Sequence, residues 1–168
     1  MKNIFFIGMP SSGKSTLGKR VADALHYRFL DTDKQIVRDE GRSIPEIFAE
    51  SGEAYFREAE HRVLRTIRPG DNTVVSTGGG MPCFHDNMAY INATGISVFL
   101  DVPVEILVRR LLAHATDDRP LNNPSDPNLF DTLQQRYKHR LQFYNQAAII
   151  VAGETNEEEV LRRIGVWM

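Results

Sequence analysis

Short apolar runs alternate along the chain with longer stretches in which apolar residues recur every three or four positions, the alternation expected of a parallel sheet covered by helices on both faces. Runs at 4–7, 28–30, 73–77, 96–100 and 148–152 read as strands. Leu17, Val21 and Leu25 after the first, and Val104, Leu107 and Leu111 behind Pro103, have the spacing of crossover helices, the proline suiting a first helical turn. At the far end Thr155-Asn156-Glu157-Glu158 forms a capping box, and Val160, Ile164 and Trp167 make one stripe, which predicts a closing helix with Trp167 packed in the fold. Two stretches interrupt the alternation. Residues 33–68 are helical in pattern throughout, with Ser43-Ile44-Pro45-Glu46 as a start signal and Pro69-Gly70 as a stop, and predict an inserted helical unit. Residues 116–128 are polar, carry Pro120, Pro124 and Pro127, and predict a lid.

Size and charge narrow what such a chain can do. A length of 168 residues suits one domain with a full core. A net charge of −2 lacks the basic excess that nucleic acid or an anionic membrane calls for, so neither is an expected partner. The sole cysteine, Cys83, excludes an intrachain disulfide or a multi-cysteine zinc site and fits a reducing compartment, by default the cytoplasm. The first apolar run spans only four residues, too few for a signal sequence or a membrane span.

The strongest chemical signal is Gly8-Met9-Pro10-Ser11-Ser12-Gly13-Lys14-Ser15, a G-x-x-x-x-G-K-[ST] phosphate loop between an apolar strand and an amphipathic helix. Its glycines let the backbone wrap phosphate oxygens, Lys14 reaches the β- and γ-phosphates, and the Ser15 hydroxyl ligates Mg²⁺. Neither an Asn-Lys-x-Asp guanine reader nor an Asp-x-x-Gly switch motif occurs, which argues against a GTPase. The third run ends in Gly78-Gly79-Gly80 rather than an acid, which argues against a motor ATPase. A small-molecule kinase remains, with a non-catalytic nucleotide-binding domain as the alternative from another class.

Asp31 and Asp33 follow the second strand, at the end of the sheet where ligands bind. One carboxylate there can support the metal and the other can take a proton from a substrate hydroxyl; otherwise Asp31 caps the next helix and Asp33 is solvated. Gly78-Gly79-Gly80 offers bare backbone for close approach by a ligand. Arg57, braced by Glu60 three residues on, Arg119 within the lid, and Arg136 and Arg140 one helical turn apart are the candidate anion binders. Spacing alone does not choose between Arg136 and Arg140.

Taken in order, the phosphate loop, Asp31-Thr32-Asp33, Gly41-Arg42-Ser43-Ile44-Pro45-Glu46-Ile47-Phe48, Gly52-Glu53 to Phe56-Arg57-x-x-Glu60, Ser76-Thr77-Gly78-Gly79-Gly80 and Arg119-Pro120-Leu121 resemble the shikimate kinases over essentially the whole chain. The resemblance implies a three-layer α/β/α P-loop fold like that of nucleoside monophosphate kinases, with a five-stranded parallel sheet of order 2-3-1-4-5. It implies one kinase domain over 1–168, with a helical substrate-binding unit at about 33–61 and a lid at about 112–128. The implied activity is ATP- and Mg²⁺-dependent phosphorylation of the shikimate 3-hydroxyl, on the route to chorismate and the aromatic amino acids, by a monomer; another small-acid kinase, such as a gluconate kinase, is the runner-up.

Carried over residue by residue, the resemblance makes Lys14, Asp33 and Arg119 catalytic and gives the metal to Ser15 and Asp31. The nucleotide falls to Ser11, Ser12, Gly13, Lys14, Ser15, Thr16, Arg110 and Arg119, with Arg110 stacked on adenine. Shikimate falls to Asp33, Arg57, Gly79, Gly80 and Arg140, with Ile44, Phe48 and Phe56 lining the ring pocket. Arg140 is chosen because Tyr144 follows it by four residues. Two departures stand out: Ser11 replaces a common glycine, and Leu141-Gln142-Phe143 lacks the commoner proline.

Overall fold

A computed structural model describes residues 1–114 and 123–168. In chain order they form β1 (Asn3–Ile7), α1 (Lys14–Leu25), β2 (Arg28–Asp31), α2 (Thr32–Glu40), α3 (Ile44–Arg65), β3 (Thr73–Ser76), a 3₁₀ turn (Met81–Cys83), α4 (Asn87–Thr94), β4 (Gly95–Asp101), α5 (Val104–Ala113), α6 (Leu129–Tyr144), β5 (Ile149–Ala152) and α7 (Glu157–Gly165). The strands pair in parallel in the order β2-β3-β1-β4-β5. This is the topology expected from the sequence.

The sheet is buried on both faces because its central strand is apolar at every other position on each side. Ile4 and Phe6 of β1 face α1 and α7, where Leu17, Val21, Val160 and Ile164 complete a core. Phe5 and Ile7 face the opposite way, into a core with Leu64, Leu107, Leu133 and Tyr144 from α3, α5 and α6. Strand residues i and i+1 point to opposite faces, so one apolar run serves both layers. Each fully buried Phe or Ile contributes about 1.5–3 kcal/mol of transfer free energy, which sets the sheet centre as the rigid frame for the loops at its edge.

The inserted unit is two helices, not one continuous stretch. Gly41, at φ 65°, ends α2, and Ser43 starts α3 with a complete capping box: its hydroxyl accepts from Glu46 N at 3.3 Å while the Glu46 carboxylate accepts from Ser43 N at 3.3 Å. Gly52, at φ 84° and ψ 171°, breaks α3 into two segments. A third small core of Ile36, Ile47, Phe56, Ala59 and Val63 joins α2 to α3.

Two expectations need correction, and one helix is additional to the sequence reading. The cap of α7 is Asn156, whose side chain accepts from Glu159 N at 3.0 Å; Thr155, one residue earlier, does not cap the helix. Trp167 lies beyond that helix and is 45% exposed, because the stripe ends with Ile164 where α7 stops. Helix α4 has no counterpart in the sequence pattern, since its buried residues Asn87, Met88, Ile91 and Thr94 mix polar with apolar. Among the described residues no helix is long and apolar enough to cross a membrane. Arg119, Pro120 and Leu121, and positions 115–122 of the expected lid, lie outside the described residues.

Candidate active site

The phosphate loop is shaped by backbone conformations that side chains resist. Gly8 has φ 146°, and a Cβ there would stand 2.8 Å from the Leu100 carbonyl oxygen. Gly13, at φ 95°, begins α1 with no side chain bonded to the helix end and no acid in the first turn, so its N–H groups and positive dipole end are open to an anion. Ser11 is held at φ 63°, the left-handed region where glycine costs least. The serine therefore keeps the loop geometry at a conformational cost of about 1 kcal/mol. Buried Lys14 curls over the loop and donates to the carbonyls of Gly8 at 2.9 Å and Met9 at 2.8 Å.

A cleft of about 520 Å³ opens beside the loop, bordered by Ser12, Gly13, Thr16 and Leu17 on one side and Gly153 and Thr155 on the other. Arg110 stands in its wall: Nη1 donates to Ser11 O at 3.1 Å, and Nη2 lies 3.6 Å from Glu154 Oε1. The segment 153–155 after β5 was not legible as part of a cleft, because only the β4–β5 pairing brings it opposite the loop.

On the other side of Lys14 lies a polar pocket of about 180 Å³ shared by the phosphate loop, Asp31, Asp33, Ser76 and Thr77. Asp31 caps α2 and also reaches the phosphate loop. Oδ1 accepts from the backbone N–H groups of Asp33 at 3.1 Å and Lys34 at 3.2 Å, capping α2, while Oδ2 accepts from the Ser15 hydroxyl at 2.8 Å. Ser76 Oγ lies 3.0 Å from Ser15 Oγ and extends the set of hard oxygen donors. In the sequence Ser76 reads only as part of a motif, with no site role; the sheet register explains its presence, since Ser76 pairs with both Asp31 and Phe6.

Beyond Asp33 the glycine run meets two buried arginines. Arg57 is 5% and Arg140 7% exposed. A Cβ on Gly80 would come within 2.5 Å of Arg57 Nη1, and one on Gly79 within 2.8 Å of Arg140 Nη1, so only bare backbone admits both guanidinium groups. Arg57 Nη1 donates to Glu60 Oε1 at 2.7 Å, and Nε and Nη2 donate to Glu53 Oε1 at 3.3 and 3.1 Å. Phe84 covers its flat face at 4.4 Å. Burial alone would lower the Arg57 pKa, but Glu60 and Glu53 more than offset it and keep the cation. Tyr144, fully buried, donates to Gly79 O and ties α6 to the glycine run. Arg136 stands half-buried in the same cluster, where burial, then repulsion from Arg140 and Arg57, lowers its pKa despite Glu53.

Asp33 joins the two halves. It lines the phosphate-side pocket, and its Oδ1 approaches to 2.8 Å the point where a Gly78 Cβ would stand. Thr32 fixes that neighbourhood by accepting from Gly78 N at 3.0 Å. The rings of Phe48 and Phe56 meet at 5.0 Å, tilted by 46°; Phe56 belongs to the α2–α3 core, and Ile44 and Phe48 pack against it. Of the candidates, those among the described residues thus gather at the carboxyl ends of β1, β2 and β3 and on α3, α5 and α6.

A P-loop strand–loop–helix unit on a 2-3-1-4-5 sheet, facing an acid and a buried cationic pocket, defines a small-molecule phosphotransferase of the P-loop class. Comparison with known proteins carries this further. The shikimate kinase family model matches residues 10–168. A shikimate kinase of Clostridium botulinum (strain 657 / Type Ba4) is 40% identical over 161 residues, covering 96% of this chain and 93% of that protein. Among solved structures, shikimate kinase from Acinetobacter baumannii in complex with shikimate is 30% identical, with a TM-score of 0.91 over 99% of this chain and 94% of that one. The enzyme from Bacteroides thetaiotaomicron is 38% identical, with a TM-score of 0.87 over 99% and 97%. The chain belongs to the shikimate kinase family.

Proposed function

We propose that this protein transfers the γ-phosphoryl group of ATP to the 3-hydroxyl of shikimate, giving shikimate 3-phosphate and ADP. One observation supports the reading above the others: Asp33 borders the phosphate-loop pocket and, across Gly78, meets Glu60, the acid bonded to Arg57, so one carboxylate stands between the phosphate loop and the buried arginines. The relative from Acinetobacter baumannii, which holds shikimate, supports the choice of acceptor.

In this reading Arg57 and Arg140 bind the shikimate carboxylate through forked N–H groups, against the backbone of Gly79 and Gly80. Ile44, Phe48 and Phe56 supply the apolar wall behind the ring. Asp33 accepts the proton of the 3-hydroxyl as its oxygen forms a bond to the γ-phosphorus; the bond from that phosphorus to the bridging oxygen breaks, and ADP leaves with the electron pair. Lys14 turns from the Gly8 and Met9 carbonyls to the β- and γ-phosphates, and the N-terminus of α1 with Ser11, Ser12, Gly13 and Thr16 cradles the remaining charge. Arg110 packs on the base. Arg119 is assigned to the transferring phosphoryl group. The Ser15 and Asp31 oxygens, with Ser76 beside them, are hard donors that would hold Mg²⁺, and the ion would supply neutralisation of the charge on the transferring phosphoryl group.

Release of ADP that depends on shikimate, in a coupled assay with Mg²⁺, tests the activity; ATP binding with no such release would reject it. Replacing Asp33→Asn is expected to lower kcat by roughly two or more powers of ten while ATP binding survives. Near-normal turnover in that variant would remove the proton-acceptor role.

A further inference from the structure

Glu60 is a buried acid that the phosphoryl transfer leaves with no task beyond bracing Arg57. Its side chain is 1% exposed. Oε1 accepts from Arg57 Nη1 at 2.7 Å, whereas Oε2 accepts no hydrogen bond from any described residue. That second oxygen abuts Gly78, 2.7 Å from where a Cβ would stand, and Asp33 Oδ1 approaches the same point to 2.8 Å. A charged, donorless oxygen buried beside a second carboxylate is costly, and a proton on it removes the cost.

The surrounding charges decide when that proton is held. Arg57 and Glu53 share α3 with Glu60; Asp33 reaches it from α2; Arg140, Arg136 and Tyr144 come from α6; and Cys83 comes from the turn after β3. Burial pushes the Glu60 carboxyl up to about 7, with Asp33 adding to the rise and Arg57 and Arg140 opposing it. An anion bound to those two arginines cancels the attraction that keeps Glu60 ionised.

We propose that Glu60 is a proton-binding site coupled to the acceptor pocket: when a carboxylate occupies Arg57 and Arg140, an O–H bond forms at Glu60 Oε2 with a proton drawn from solvent, and that proton returns to solvent when the pocket empties. The proposal rests on the reading of Arg57 and Arg140 as the site of the shikimate carboxylate. Glu60 acts through the arginines and is a positioning residue, not a catalytic one. By linkage, shikimate affinity falls by up to roughly tenfold per pH unit above the pKa that Glu60 has in the empty pocket.

Calorimetric titration of shikimate into the nucleotide-free protein, in buffer pairs of different ionisation enthalpy between about pH 6.5 and 8.5, counts the protons taken up as the pocket fills. Net uptake is expected in the wild-type protein, and Glu60→Gln is expected to abolish it and flatten the pH dependence of binding. Binding without net uptake, or uptake that persists in folded Glu60→Gln protein, overturns the proposal. Should that variant fail to fold, infrared difference spectra of wild-type protein carrying ¹³C-carboxyl glutamate decide the matter. A carboxylic-acid band that appears with shikimate and shifts with the label supports Glu60; one that ignores the label overturns it. A titration with no binding heat at any pH, together with no shikimate-dependent ADP release, would instead discard the pocket assignment beneath the proposal.

Discussion

Single atoms decide whether the arginine pocket exists. Gly80 has φ −88° and ψ −12°, a conformation that alanine adopts freely, so Gly80→Ala adds only a methyl group against Arg57. That substitution is expected to raise the KM for shikimate by roughly tenfold to a hundredfold, through displacement of the guanidinium, with the KM for ATP close to wild type and a lower melting temperature because the buried Arg57–Glu60 pair is disturbed. Equal losses for both substrates would show that the glycine run serves the whole sheet edge instead. Cys83 is the contrasting residue nearby. Burial pushes its thiol up to about 11, so it stays protonated at neutral pH and behaves as packing.

Helix α3 carries much of the site, and its start and its middle are shaped by different devices. Its start depends on the reciprocal bonds of Ser43 and Glu46; Ser43→Ala is expected to cost about 1 kcal/mol, read as a lower denaturant midpoint at unchanged slope. Its middle turns at Gly52, where φ is 84°, so Gly52→Ala should destabilise by about 1 kcal/mol or more even though nothing lies within 4 Å of an added Cβ. The second segment sets Arg57 and Glu60 three residues apart on one face, with Glu60 sunk beneath the arginine. Because the folded protein holds the Glu60 proton up to about pH 7 and the unfolded chain only to 4.5, this acid lowers stability as pH rises through that interval. Chemical denaturation across the same interval should show the decline, and Glu60→Gln should remove this part of it.

At the scale of the whole molecule, parallel pairing of β2, β3 and β1 brings the phosphate loop, Asp31 and the glycine run to one edge, and Asn3 fastens the opposite edge. Its buried amide donates to Arg68 O at 2.7 Å and Thr94 O at 3.4 Å and accepts from Thr73 N at 3.1 Å, tying the entry to β3 and the end of α4 to β1. Asn3→Leu is expected to cost about 2 kcal/mol or more by stranding the Thr73 N–H, with substrate KM values retained because the site lies at the other end of the sheet. The phosphate loop, the alternation of strands with helices, the capping box at Ser43 and the order of the motifs were readable directly, because each is a local rule written within a few consecutive residues. Periodicity carried less weight at α4, whose buried face mixes Asn87 and Thr94 with apolar residues, and at the chain's end, where α7 stops before Trp167. The joining of Ser76 to Ser15 and Asp31, the burial of both arginines against bare glycine backbone, and the naked oxygen of Glu60 beside Asp33 came only from the tertiary structure. Those features depend on strand register and on helices packed across the sheet. Neighbours far apart in the chain set the desolvation and the charge that each group feels, and a linear pattern holds no measure of either.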